Sequence, residues 1–201
     1  MKKKSTAVIY IHGKGGNAEE SGHYKPFFEN SEVIGFDYKS QTPWEAREEF
    51  SRFFDCVSEN HRVTEIIAVS IGAYFALNAL SGKKIERANF ISPVVDMEKL
   101  ITDMMKYANV TESELREKKE IPAAFGETLS WEYLCYVREH PVEWAVPTRI
   151  LYGENDNLQS YETVYRFAVK TGATLAVMKG GEHWFHTEKQ MAFLDDWLKT
   201  R

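Results

Sequence analysis

The chain has 201 residues, a length that suits one domain with a full hydrophobic core. Hydrophobic residues make up 43% and charged residues 27%, the profile of a globular protein, and the net charge is -5. The acidic balance argues against nucleic acid or an anionic membrane as the main partner, and no apolar run approaches the ~18 residues of a membrane-spanning helix.

The cysteines and the amino-terminal lysines bear on the compartment. Cys56 and Cys135 lie far apart and have no metal-type spacing, so we expect no disulfide framework and a reducing cytoplasm. Lys2, Lys3 and Lys4 resemble the start of a signal peptide. The apolar run after them, Ala7–Ile11, is too short for a signal core, so we expect no leader.

Short apolar runs alternate with longer amphipathic ones, which is typical of a parallel sheet flanked by helices. The pattern predicts six strands, at Thr6–Ile11, Val33–Asp37, Glu65–Val69, Arg87–Ile91, Arg149–Tyr152 and Thr174–Met178. It predicts four flanking helices, at Pro43–Glu59, Ile71–Leu80, Tyr161–Lys170 and Glu188–Lys199. Pro43 stands near the first helical position, where proline is tolerated, and Thr187-Glu188-Lys189-Gln190 has the spacing of a capping box. We therefore expect a single α/β domain over residues 1–201.

One stretch interrupts this alternation, because the segment between Ile91 and Arg149 is too long for a single crossover. Helices are predicted at Asp96–Tyr107, just after Thr111, and at Trp131–His140, with Ile121–Leu129 irregular or extended. We interpret residues from about 96 to 147 as a cap-like insertion. It provides either extra packing or a cap that shapes a substrate pocket.

The most informative residue is Ser70, which stands between an apolar strand and a helix with almost no loop. This junction forces a tight turn that exposes the hydroxyl, and the N–H groups of the following helix start can stabilise an anion beside it. Gly72 permits a close approach of strand and helix, and Ala68 stands where the pattern G-x-S-x-G has its first glycine. The alternative is that Ser70 is an ordinary helix N-cap.

A serine nucleophile needs a base, and the base needs an orienting carboxylate. Asp156 lies in the loop after one late strand, and His183 follows two glycines after the last strand. Because the carboxyl ends of parallel strands meet at one edge of a sheet, these groups are expected beside Ser70. Glu154 and Asp96 are alternative acids.

The first strand runs directly into His12-Gly13-Lys14-Gly15-Gly16, and glycines there free the backbone to direct N–H groups at an oxyanion. We expect the backbone N–H groups of Lys14 and Ile71 to form this hole. His12 is expected to hold the loop in place.

These pieces together resemble the α/β-hydrolase superfamily over nearly the whole chain. The matching motifs are HGKGG, AVSIGA, GENDN and GGEHWF, in the family's order of oxyanion loop, serine, acid and histidine. The resemblance implies an α/β-hydrolase fold with a mostly parallel sheet of about six strands. It implies Ser70 as nucleophile, His183 as general base and Asp156 as its orienting acid. The chain is also similar to small bacterial serine hydrolases of esterase or dienelactone-hydrolase-like type. From this resemblance we expect it to cleave a carboxylic ester without a cofactor.

Alternatives stay open at this stage. His186 is the nearest rival base, and His183, His186 and Glu182 could suggest a metal, but their spacing is not that of zinc enzymes and we expect none. An acyltransferase, a lyase or a non-catalytic binding module could use the same scaffold. We expect a small acyl substrate, and the sequence leaves the oligomeric state open. Candidate pocket residues are His12, Trp131, Tyr136 and Trp184.

Overall fold

The computed structural model describes residues 4–200, so the prediction about Lys2 and Lys3 lies outside the described residues. The chain forms two compact units. The first contains the residues up to Val95 and those from Glu143 onward, and the second is the segment Asp96–Val142. No helix within residues 4–200 is long and apolar enough to cross a bilayer.

The first unit is built on a six-stranded parallel sheet. Its strands are β1 (Ser5–Ile11), β2 (Glu32–Phe36), β3 (His61–Val69), β4 (Arg87–Ile91), β7 (Thr148–Gly153) and β8 (Thr174–Met178). They lie side by side in the order β2-β1-β3-β4-β7-β8. Its helices are α1 (Pro43–Asn60), α2 (Ile71–Ala79), α6 (Tyr161–Thr171) and α7 (Glu188–Lys199), with a 3-10 helix at Ala18–Phe27. The predicted fold class is confirmed, and all six predicted strands and four flanking helices are present.

Both faces of this sheet are covered. On one face, alternate β1 residues such as Val8 and Tyr10 pack in a cluster with Leu194 and Trp197 of α7. On the other face, Ile11 lies against α2, and the rings of Phe50 and Phe75 meet edge to face with centroids 5.9 Å apart. Because both faces are buried, β1 reads as a continuous apolar run rather than an alternating one.

Local capping signals explain where the helices begin. Thr42 caps α1 through the N–H of Glu45, with Pro43 at the first helical position. The predicted capping boxes at Thr111 and Thr187 are both present, and they open α4 (Glu112–Lys118) and α7. The 3-10 helix at Ala18–Phe27 was not predicted.

The second unit consists of α3 (Met97–Tyr107), α4, a two-stranded antiparallel pair and α5 (Trp131–Glu139). The pair, β5 (Glu120–Pro122) and β6 (Thr128–Ser130), occupies the segment expected to be irregular or extended. Arg138 of α5 joins the helices of this unit by binding Glu98 at 2.7 Å and Glu112 at 2.8 Å. The role of this second unit as a cap over a substrate pocket remains a prediction.

Candidate active site

Ser70 occupies a strained turn at the carboxyl end of β3. It is the only residue between β3 and α2, and its backbone has φ 52° and ψ -122°. Its N–H donates to the carbonyl of Ile91 at 3.0 Å, and its carbonyl accepts from Val94 at 3.1 Å. Bonds from the end of β4 therefore hold a conformation that residues with a Cβ rarely adopt, and such strain often marks a functional position.

The turn is close to the end of β1. A Cβ on Gly72 would lie 2.3 Å from the carbonyl oxygen of His12, so any side chain here would force the backbone to shift. A Cβ on Gly13 would lie 3.2 Å from the Cβ of Ser70, so the loop after β1 passes directly beside the serine. Ala68 is fully buried in β3, where its methyl group is part of the core. The departure from the G-x-S-x-G pattern thus leaves the turn intact.

Ser70, His183 and Asp156 form a continuous chain of hydrogen bonds. Ser70 Oγ lies 2.8 Å from His183 Nε2, and His183 Nδ1 lies 2.7 Å from Asp156 Oδ2. The Asp156 side chain is fully buried, and its Oδ1 accepts the N–H groups of Leu158 at 2.8 Å and Gln159 at 3.1 Å. The buried carboxylate is therefore fixed from both sides, and the imidazole is oriented by it.

The loops that carry the acid and the histidine are joined to each other. The N–H of Asn155 donates to the carbonyl of Gly181 at 2.7 Å, and the N–H of Gly180 donates to the Glu154 carboxylate at 2.8 Å. Close contact of the two backbones requires Gly153, where a Cβ would lie 2.4 Å from the carbonyl oxygen of Glu182. These contacts join the acid loop to the histidine loop and so fix the distance between the carboxylate and the imidazole.

A tyrosine beneath the acid loop adds to this rigidity. Tyr152 donates its hydroxyl hydrogen bond to the carbonyl of Gln159 at 2.9 Å. Burial, and then the charge of Asp156, raises the pKa of Tyr152 to about 12. The hydrogen bond of this protonated phenol supports the loop whose N–H groups bind the carboxylate.

The alternative residues are occupied elsewhere. Glu154 binds the N–H of Gly180, and Asp96 caps α3 through the N–H of Lys99 at 2.8 Å. His186 Nδ1 lies 2.8 Å from the carbonyl of Trp184. Within residues 4–200, no group of three or more His, Cys, Asp and Glu side chains could hold a metal ion.

The glycine-rich loop after β1 turns sharply beside Ser70. The N–H of Gly16 donates to the carbonyl of Gly13 at 3.1 Å, and Gly15 takes a φ of 77° that favours glycine. Lys14 lies inside this turn, and Ile71 is the first residue of α2. The loop is thus adjacent to the serine, and the use of the Lys14 and Ile71 N–H groups remains a prediction.

Two of the candidate pocket residues are sequence neighbours of the site: His12 precedes the glycine-rich loop, and Trp184 follows His183. His12 is buried and stacks on Tyr38 with ring centroids 4.2 Å apart, and the Tyr38 hydroxyl donates to the His12 carbonyl at 2.9 Å. This arrangement fits a residue that holds the loop. Trp184 is 71% exposed and stacks on His186 with centroids 4.4 Å apart.

The other two candidates, Trp131 and Tyr136, lie on α5 in the second unit. The guanidinium of Arg116 lies over the Trp131 ring at 5.6 Å, and Tyr136 stacks on His140 at 4.0 Å. Each thus has a packing partner within its own unit, and a role in substrate binding stays a prediction for both.

Sequence reasoning missed the contributions of Val94, Gln159 and Tyr38. Val94 and Gln159 act through backbone N–H groups, which carry no signal in the sequence. Tyr38 lies just past β2, in a position that reads as an ordinary core aromatic.

Comparison with protein-family models and with curated protein sequences gives no match. Comparison with solved structures gives many. Alpha/beta hydrolase domain-containing protein 10 from mouse is 17% identical with a TM-score of 0.75, covering 98% of this chain and 91% of its own. Est1E from Butyrivibrio proteoclasticus is 16% identical with a TM-score of 0.73, covering 99% and 87%. A lipase-esterase related protein from Clostridium acetobutylicum is 15% identical with a TM-score of 0.62, covering 98% and 95%.

At these identities the likeness shows the fold, and the chain therefore has the α/β-hydrolase fold. The fold hosts many activities, so the activity has to be argued from the site itself.

Proposed function

We propose that this protein is a serine hydrolase that cleaves a carboxylic ester through an acyl-enzyme. The observation that carries the proposal is the unbroken chain from Ser70 Oγ to His183 at 2.8 Å and from His183 to Asp156 at 2.7 Å. A nucleophile, a base and an orienting acid within hydrogen-bond reach meet the geometric requirement for nucleophilic catalysis. The strained backbone of Ser70 supports the same role.

In the proposed acylation, Ser70 Oγ attacks the ester carbonyl carbon while His183 Nε2 accepts the hydroxyl proton. The carbonyl oxygen becomes an oxyanion, and Asp156 stabilises the imidazolium through Nδ1–H. The tetrahedral intermediate then collapses, the bond to the alcohol oxygen breaks, and His183 returns its proton to the departing alcohol. Water repeats the two steps on the acyl-enzyme, which releases the acid and restores Ser70.

We infer that the oxyanion is bound by the backbone N–H groups of Ile71 and Lys14. Ile71 is the first residue of α2, where N–H groups have no partner within the helix. The position of Gly13 beside the Ser70 Cβ supports the involvement of Lys14, the next residue. Loss of one such donor typically costs ~3 kcal/mol of transition-state stabilisation.

The choice of a carboxylic ester is supported by the esterases among the structures that share the fold. We further propose that the substrate is a small acyl compound. The proposed mechanism uses no cofactor. A cytoplasmic setting is proposed from the cysteines, because Cys56 and Cys135 are both free thiols.

The proposal is tested by labelling with a fluorophosphonate probe, which reacts with activated serines. We expect wild type to be labelled and Ser70→Ala to be unlabelled while its far-UV circular dichroism is unchanged. Ser92→Ala is a matched control, because Ser92 is a buried serine that immediately follows the adjacent strand β4 and has a similar φ of 43°. Labelling of Ser70→Ala at the wild-type rate, or no labelling of folded wild type, would contradict the proposal.

A further inference from the structure

A buried tyrosine of the central sheet is joined to the loop predicted to bind the oxyanion. Tyr10 lies on β1 and is 2% exposed, yet its hydroxyl donates to Glu20 Oε2 at 2.5 Å. Burial, with Tyr24 and Glu20 nearby, raises the pKa of Tyr10 far above its ordinary value, so the phenol remains a donor. A side chain that otherwise reads as core packing thus reaches a carboxylate outside the sheet.

The same carboxylate holds the loop. Glu20 Oε1 accepts the backbone N–H of Asn17 at 3.3 Å, which immediately follows the Gly13–Gly16 turn. A Cβ on Gly16 would lie 2.9 Å from Glu20 Oε1 and 3.0 Å from Oε2, so the carboxylate packs directly on the Gly16 backbone. One carboxylate therefore links the far end of the loop to a buried tyrosine of strand β1.

The near end of the loop is fixed independently. The carbonyl of His12 accepts from Tyr38, and it packs on the α-carbon of Gly72 in α2. Beyond the loop, the 3-10 helix is seated on β2, because a Cβ on Gly35 would lie 2.0 Å from the carbonyl oxygen of Ala18. Between these two anchors, the Glu20 carboxylate packs on the backbone of Gly16 and accepts the N–H of Asn17.

We propose that Tyr10 and Glu20 are positioning residues that hold the Gly13–Gly16 loop in the conformation that binds the oxyanion. The proposal rests on the proposed function. Neither residue needs to touch the substrate, since both act through the backbone of the loop. An oxyanion donor is effective only when it is held in place before the charge develops, so loosening the loop weakens transition-state binding more than substrate binding.

The test compares Glu20→Ala with Glu19→Ala. The second variant removes an exposed carboxylate from the same helical turn and leaves the hydrogen bond between Tyr10 and Glu20 in place. Tyr10→Phe removes the other half of the tie. With p-nitrophenyl acetate, we expect kcat to fall about tenfold in Glu20→Ala and Tyr10→Phe with KM within about twofold, and Glu19→Ala to behave as wild type. The inhibition constant of a boronic acid, which forms a tetrahedral adduct, should rise by the same factor as kcat falls.

Hydrogen exchange separates this proposal from the proposed function. The amides of Gly16 and Asn17 should exchange faster in Glu20→Ala than in Glu19→Ala, whether or not the protein hydrolyses esters. Unchanged exchange at these amides would overturn the tie itself. Faster exchange in Glu20→Ala with an unchanged kcat would overturn the positioning role. A wild-type protein with neither esterase activity nor probe labelling would overturn the proposed function, and the positioning role with it.

Discussion

The substitution Asp156→Asn should reverse the tautomer of His183. Asp156 Oδ1 accepts two backbone N–H groups, those of Leu158 and Gln159, so an asparagine must keep its carbonyl oxygen on that side. Its NH2 group then faces His183 Nδ1, which must accept a hydrogen bond instead of donating one. The imidazole proton moves to Nε2, where it faces Ser70 Oγ, and the ring can no longer accept the hydroxyl proton.

The magnitude follows from the burial of the acid. Because the Asp156 side chain is fully buried, no water can replace it as an acceptor, and the opposite orientation of the amide would set NH2 against two N–H donors. In a Ser-His-Asp triad, a wrong imidazole tautomer lowers kcat by about 10⁴, or about 5 kcal/mol in the activation free energy. KM should change little, because the substitution leaves the surroundings of Ser70 in place.

The assay is steady-state hydrolysis of p-nitrophenyl acetate, with thermal unfolding to verify that each variant is folded. Glu154→Gln is the matched control, since it neutralises a carboxylate two residues away that binds Gly180 and not His183. The control should retain activity within about tenfold. A folded Asp156→Asn that retained more than a tenth of wild-type kcat would refute the reasoning, and a larger loss in Glu154→Gln would transfer the acid role to Glu154.

Three further predictions concern backbone geometry and pH. Gly72→Ala should destabilise the fold by about 1–3 kcal/mol and lower Tm by roughly 2–12 °C, because its Cβ would lie 2.3 Å from a carbonyl oxygen. The control is Gly82→Ala, whose Cβ meets open space, and equal Tm values for the two variants would contradict the prediction. Ser70→Gly should have a higher Tm than Ser70→Ala by differential scanning calorimetry, since the φ of 52° strains alanine but not glycine; the reverse order would be evidence against strain. Burial raises the pKa of Tyr152 to about 12 from its ordinary 10, so the unfolded state releases the proton first and stability falls as pH rises from about 10 to 12. When pH is raised, the tyrosinate absorbance should therefore reach its full value only as the far-UV circular dichroism signal is lost. Complete ionisation of the tyrosines in the folded protein near pH 10 would contradict the prediction.

The sequence was sufficient for the main sheet and its flanking helices because the strands of that sheet contain local apolar runs and because α1, α6 and α7 begin at capping residues. It was also sufficient to select Ser70 and His183 as candidates. Both follow strands of a parallel sheet, whose carboxyl ends meet at one edge by topology. The nearness of these residues therefore depends on strand order more than on the details of packing.

What the sequence could not decide depends on contacts between distant segments. Glu154 and Asp156 lie in one loop and have similar local signals. Which carboxylate faces His183 depends on hydrogen bonds from other parts of the backbone to this loop. The 3-10 helix at Ala18–Phe27 has no apolar periodicity and contains Pro26, so no helical pattern in the sequence predicts it. Tyr10 is indistinguishable from a core residue until the position of Glu20 is known.

The strain at Ser70 is a property of the site and not of the serine. A φ of 52° with a ψ of -122° penalises the Cβ, and serine, cysteine and aspartate all carry one. Exchanging the nucleophile among these three residues would therefore leave the conformational penalty of folding nearly the same. Selection for a different chemistry at this turn can act on reactivity alone, because the turn itself has already been made stable by the residues around it.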